Sequence, residues 1–145
     1  MKAIFMAALL VLWSASEVLA WGQEGHSIIA EVAQQRLSPD AAKGVRDLVG
    51  PRSLASVASW ADNIRDERPE TYNWHFVDIP INVPTFKQER DCKENKLQGD
   101  CVLAALDRLR VDLRCGTPDM KRTEALKFIV TSSAISISPC TQWTS

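Results

Sequence analysis

The sequence predicts a mainly α-helical fold, and three observations carry that reading. Apolar residues recur at three- and four-residue intervals through most of the chain, Ser-Pro and Thr-Pro pairs stand where helices open, and only one short stretch concentrates aromatic and β-branched residues. The first helical pattern is Ile28, Ile29, Val32, Ala33 and Leu37, a stripe expected to face a core. Ser38-Pro39-Asp40 closes that helix and opens a second one running to Gly50, because a serine hydroxyl can satisfy free backbone amides and proline suits a first turn. After Pro51-Arg52-Ser53 a third pattern passes through Leu54, Val57, Ala58 and Ala61, with Trp60 and Ile64 near the same stripe and Asp62 on the adjoining face. Residues 72–80 end in proline and are expected to be extended, so that His75 is displayed from a stiff connector. An amphipathic helix is expected over 102–113, and Thr117-Pro118 is expected to start a last one that continues through 125–130.

The amino-terminal stretch has the organisation of a secretory signal: a charge at Lys2, an apolar run over 3–13, and small-residue cleavage chemistry at Val18-Leu19-Ala20. The run is too short for the ~20 residues of a membrane span, and no later segment is apolar enough to anchor the chain. The expectation is therefore a signal peptide over 1–20, one domain after it, and a protein that is secreted or periplasmic without a membrane anchor. Removing the signal leaves the formal charge of −1 unchanged, since Lys2 and Glu17 leave together, so no broad basic surface points to nucleic acid. Four cysteines in an exported chain suit disulfides. Cys92 and Cys101 bracket a polar loop that a bridge would tie off, whereas Cys115 and Cys140 have no evident partner.

Cleavage after Ala20 makes Trp21 the first residue, with a free α-amine beside a carbonyl oxygen, a pair able to close a chelate on zinc. His26 follows in Trp-Gly-Gln-Glu-Gly-His, where two glycines allow the backbone to turn and bring an imidazole toward that amine. A cut after Ser16 also satisfies the small-residue rule and would leave Trp21 internal, as a buried tryptophan near a helix-start histidine. The chain has two histidines, and the second, His75, lies on the connector that follows Asp62. A fold-back of the connector would join carboxylate and imidazole, both of them zinc donors at about 2 Å. The plainer alternative pairs Asp62 with Arg65 one helical turn on and leaves His75 in the core.

Four motifs stand in order: Trp-Gly-x-x-Gly-His at 21–26, Ala-Ser-Trp-Ala-Asp at 58–62, Trp-His-Phe-Val-Asp-Ile-Pro at 74–80 and Ala-Leu-Lys-Phe-Ile-Val at 125–130. Together they resemble the mung-bean-type, zinc-dependent single-strand nucleases, the S-one/P-one family of the phospholipase C/nuclease superfamily. The resemblance covers 21–130, about the first half of a typical member. It implies a truncated helical phospholipase C/nuclease-like fold with three zinc ions per complete member, and hydrolysis of single-stranded DNA and RNA to 5′-phosphorylated products, often with 3′-nucleotidase activity. Carried onto this chain, it implies metal binding by Trp21 and His26 at one ion and by Asp62 and His75 at another, a phosphate contact at Arg65, and a nucleobase pocket at Phe76 and Asp78. Phe76 as core and Asp78 as a helix cap are the plainer readings of the last two. No protein nucleophile is required by such chemistry, and no Ser-His-acid or Cys-His arrangement stands out.

Members of that family continue with a segment resembling His-Phe-Ile-Gly-Asp-Ile-His-Gln-Pro-Leu-His, where this chain has Thr131-Ser132-Ser133-Ala134-Ile135-Ser136-Ile137-Ser138-Pro139-Cys140-Thr141. Encoded with suitable synonymous codons and read one base later, the family segment becomes those residues in order. Residues 131–145 are thus expected to be a frameshifted, non-native tail, with no structural role for Cys140 or Trp143. A catalytic zinc generally needs about three protein donors and an open position; Asp62 and His75 supply two, so the chain as written is expected not to catalyse. Two other functions fit the same residues: a zinc phosphodiesterase of the phospholipase C type, and a noncatalytic secreted helical module.

Overall fold

The structure, a computed structural model, describes residues 22–83, 85–116 and 120–136, with side chains to residue 133. Four longer helices dominate it: α1 (Gln23–Gln34), α2 (Pro39–Val49), α5 (Val102–Cys115) and α6 (Arg122–Ser136). Between α2 and α5 lie two single-turn helices, α3 (Trp60–Asn63) and α4 (Gln88–Asp91), and two 3-10 segments, Ala55–Val57 and Pro69–His75. Among the described residues there is no strand, only an isolated bridge between Asn95 and Gly99. The mainly helical expectation therefore holds.

The α1–α2 corner forms as its residues dictate. Ser38 accepts a hydrogen bond from the Ala41 amide at 3.2 Å, Pro39 occupies the first turn, and Gly50 ends α2 at φ +69°. The core is built around α6. Ala125 and Phe128 pack with Ala61, Ala105, Leu109 and Met120 on one side, while Leu126 packs with Ala30, Val49, Leu54 and Ala58 on the other. Phe128 meets the edges or faces of Trp60 and Trp74 at centroid distances of 5.4 and 5.2 Å. Burying a side chain of this kind contributes about 1.5–3 kcal/mol relative to leaving it in water.

Four expectations need correction. Ile28 and Val32 are 64% and 44% exposed, and the residues of α1 that are buried are His26 and Ala30. The helix is rotated so that an imidazole, rather than the larger aliphatic side chains, enters the interior. The third helix is not continuous: it breaks at Ala58-Ser59, where the Ala58 amide donates back to the Ala55 carbonyl and the Ala58 carbonyl accepts the Thr131 hydroxyl at 2.7 Å. Residues 72–75 are not extended but complete a 3-10 segment, because Pro69 sets its first turn and both the amide and the hydroxyl of Thr71 donate to the Arg68 carbonyl. Extended backbone begins at Phe76, at φ −153° and ψ 172°. The last helix opens at Arg122, and Thr117-Pro118 lies outside the described residues.

The Cys92–Cys101 disulfide is present, and Cys115 is free and exposed; Cys140 and Trp143 lie outside the described residues. The loop it closes is clasped to the 3-10 segment by Asn73, whose amide and side-chain nitrogen donate to Gln98 and Gly99 carbonyls at 2.9 and 3.1 Å. Gly99 has φ +79°, and a Cβ there would sit 2.4 Å from the Glu70 carbonyl oxygen and 2.6 Å from Trp74 Nε1. Gly99→Ala is therefore expected to lower the unfolding free energy by at least about 1–3 kcal/mol, as read from urea denaturation. Thr131→Val, which leaves the Ala58 carbonyl without its donor, is expected to cost about 1–3 kcal/mol in the same assay.

Candidate metal centre

Three elements converge on Asp62. It sits on the single turn of α3, where its Oδ2 lies 2.9 Å from His26 Nε2 in the first turns of α1, and its Oδ1 lies 2.9 Å from His75 Nδ1 at the end of the 3-10 segment. Both histidines are 6% exposed, and the Asp62 side chain is 34% exposed. The 21–26 glycines act differently from the sequence expectation: Gly22 caps α1 and Gly25 is already helical, so His26 is aimed by the helix rather than by a flexible turn. His75 is aimed by the clasp at Asn73, two residues before it.

The nitrogens that face Asp62, His26 Nε2 and His75 Nδ1, stand in ion-pair contact with it. His26 Nδ1 and both ring nitrogens of His75 are buried with no hydrogen-bond partner among the described residues. A buried polar atom left unpaired costs about 1–3 kcal/mol, and here two such atoms, His26 Nδ1 and His75 Nε2, are the ring positions other than those that contact Asp62. Burial alone would push the Asp62 carboxyl up, but the neighbouring imidazoles of His26 and His75 outweigh it and hold the group well below the usual carboxylate range. A carboxylate with a ring nitrogen 2.9 Å from each oxygen places three groups, each of a type that binds zinc, side by side. No group of three or more His, Cys, Asp or Glu side chains among the described residues encloses a single ion. What the fold supplies is one carboxylate with an imidazole at each oxygen.

Arg65 does not pair with Asp62. Its guanidinium lies 5.2 Å from the Tyr72 ring centroid, and Tyr72 meets Phe76 edge to face at 5.8 Å. Arg65, Tyr72 and Phe76 thus form a row of cation and rings leading away from the histidines. Asp78 is exposed beyond Phe76, and Trp21 lies outside the described residues. Tyr72 is the member that sequence reasoning missed; its four-residue offset from Phe76 was the available signal.

An S1/P1 Nuclease profile matches residues 21–132, the span that holds every residue of the cluster and of the aromatic row. The chain belongs to the S1/P1 nuclease family. It is 34% identical to nuclease P1 of Penicillium citrinum over 119 residues, covering 76% of this chain and 43% of that relative. It is 36% identical to endonuclease 2 of Arabidopsis thaliana over 105 residues, 66% of this chain and 34% of the relative. With nuclease S1 of Aspergillus oryzae the identity is 28% over 118 residues, 76% of this chain and 40% of the relative. The chain therefore spans less than half the length of these S1/P1 nucleases.

The unpaired nitrogens generate a direct test. In chelator, His75→Leu removes the partnerless Nε2 together with the Nδ1 contact to Asp62, so the two effects oppose each other and the thermal midpoint is expected to move by no more than about a degree or two. A drop of several degrees would show that His75 is held by structural hydrogen bonds.

Proposed function

We propose that this chain is the amino-terminal part of a zinc-dependent nuclease that hydrolyses phosphodiester bonds of single-stranded DNA and RNA to 5′-phosphorylated products, with 3′-nucleotidase activity in the same centre. The observation that carries the reading is the pair of buried imidazoles on opposite oxygens of Asp62 in a chain of the S1/P1 nuclease family. His26 would hold zinc together with the amine and carbonyl of Trp21, and His75 would hold a second ion with Asp62. The contact of Asp62 with both histidines supports a carboxylate that serves both positions.

When bound, zinc supplies Lewis-acid neutralisation of charge on the phosphoryl oxygens. The protein groups do the rest. Asp62 stays ionised, as its depressed pKa requires, and so offers a full negative charge to cations. Arg65 would contact a phosphate, a role supported by its exposed guanidinium over Tyr72. Phe76 presents a ring, steadied at its edge by Tyr72, for a base to stack on, and exposed Asp78 accepts hydrogen bonds from the edge of that base. A net charge of −1 gives no broad attraction for nucleic acid, so these local groups carry the binding.

We further propose export with cleavage after Ala20, a reading supported by the family match starting at Trp21. No described helix is long and apolar enough to cross a membrane. With two protein donors at the Asp62–His75 position, the chain by itself binds metal without turnover, and the complete nuclease requires further donors.

Metal analysis of the purified mature chain tests the reading. Zinc at about 100 times its dissociation constant is expected to add about 2.7 kcal/mol to the unfolding free energy, and Asp62→Asn or His75→Leu to abolish that gain. In a version joined to the remaining part of a family member, Asp62→Asn is expected to slow mononucleotide release from single-stranded DNA by at least about 100-fold. Zinc-independent stability together with an unaffected hydrolysis rate would defeat the proposal.

A further inference from the structure

A polar cleft of about 310 Å³ opens beside the histidine cluster, between α1, the 52–60 segment and α6. Ser27, Arg52, Ser59, Trp60, Asn63 and Lys127 are among its lining residues, and no carboxylate is. Lys127 is held in place by its ammonium, 4.5 Å from the Trp60 ring centroid. Arg52 is fixed by its Nε, which donates to the Val49 carbonyl at 3.1 Å and leaves both terminal nitrogens without a partner among the described residues. Neither cation is in an ion pair among the described residues. The Lys127 ammonium is pushed below the ordinary lysine range, first by burial and then by the charge of Arg52, with Glu124 opposing. Two like charges lining one cleft repel each other until an anion joins them. Neutral donors complete the lining. Asn63 uses its carbonyl to accept from Gln23 at 3.5 Å, which leaves its amide hydrogens free, and Ser59 contributes a half-buried hydroxyl.

We infer that this cleft is an anion subsite that takes a phosphate group of a polynucleotide backbone, at a second point of contact separate from the His26–Asp62–His75 cluster. The choice of a polynucleotide as the bearer of the phosphate rests on the nuclease reading above; the affinity for phosphate itself rests only on Arg52, Lys127 and their neighbours. Position supports a shared ligand. Ser27 follows His26 and Asn63 follows Asp62, so the cleft and the cluster are built from adjoining residues of α1 and α3 and one strand can lie across both. A guanidinium with two free nitrogens grips a phosphate in the forked manner, and the ammonium adds a point charge on the opposite wall.

The test uses the full chain stripped of metal with chelator and titrated calorimetrically with inorganic phosphate, then with a short oligothymidylate in competition. Saturable phosphate binding is expected, weakening as salt rises, and the oligonucleotide is expected to displace phosphate. Arg52→Gln and Lys127→Met are each expected to weaken phosphate binding about tenfold, and the double variant to lose it, while Lys127→Arg stays within about threefold of the parent. Circular dichroism of Lys127→Met checks that the variant keeps its helical fold. Phosphate binding that disappears on metal removal, or that survives in the double variant, overturns the subsite. Binding of phosphate without displacement by the oligonucleotide overturns the strand assignment. Failure of the nuclease reading is seen separately, as a parent chain that zinc does not stabilise while it still binds phosphate in chelator.

Discussion

Helix α6 is the constraint that organises the molecule, because from Thr123 to Ser133 none of its residues is exposed. A helix covered on every side cannot be stable alone; it demands neighbours all round. The α1, α2, α3 and α5 helices and both 3-10 segments pack against it. The polar residues within that span follow the same logic. Thr131 is fully buried and spends its hydroxyl on the Ala58 carbonyl, and Thr123 reaches the Leu48 carbonyl, so each polar intrusion is matched by a partner on a surrounding element. The break at Ala58-Ser59 that sets off the single turn carrying Asp62 is one outcome of this arrangement.

Around Asp62 the balance runs the other way. Burial and satisfaction of polar groups agree almost everywhere else, yet two ring nitrogens, His26 Nδ1 and His75 Nε2, are enclosed without a hydrogen bond. Proteins carry such local conflicts where function needs them and offset them through packing elsewhere. Here the offset is visible in Phe128, wedged between Trp60 and Trp74, the neighbours in sequence of the segments that bear Asp62 and His75. The aromatic core thus fixes the backbone from which the unsatisfied side chains are displayed.

Much of this was legible in the sequence. Ser38-Pro39 marked a helix start to the residue, the spacing of Cys92 and Cys101 marked a closed loop, and the order of the histidine- and acid-bearing motifs marked the family. What was not legible depended on tertiary partners. Periodicity placed Ile28 and Val32 inside because it weighs size and polarity alone; the fold buries His26 instead, since Asp62 comes from another element to meet it. The 72–75 stretch reads as extended by composition, but the carbonyls of Gln98 and Gly99, distant in sequence, hold Asn73 within a 3-10 turn. The cleft at Arg52 and Lys127 left no local signal, because its two cations lie 75 positions apart.

The clasp at Asn73 also ties geometry to a covalent bond. The carbonyls that hold Asn73 belong to a loop closed by the Cys92–Cys101 bridge, and Asn73 stands two residues ahead of His75. Breaking that bridge would free the loop's ends, so the carbonyls that steady the backbone ahead of the imidazole would be carried by a segment with more conformational freedom to lose.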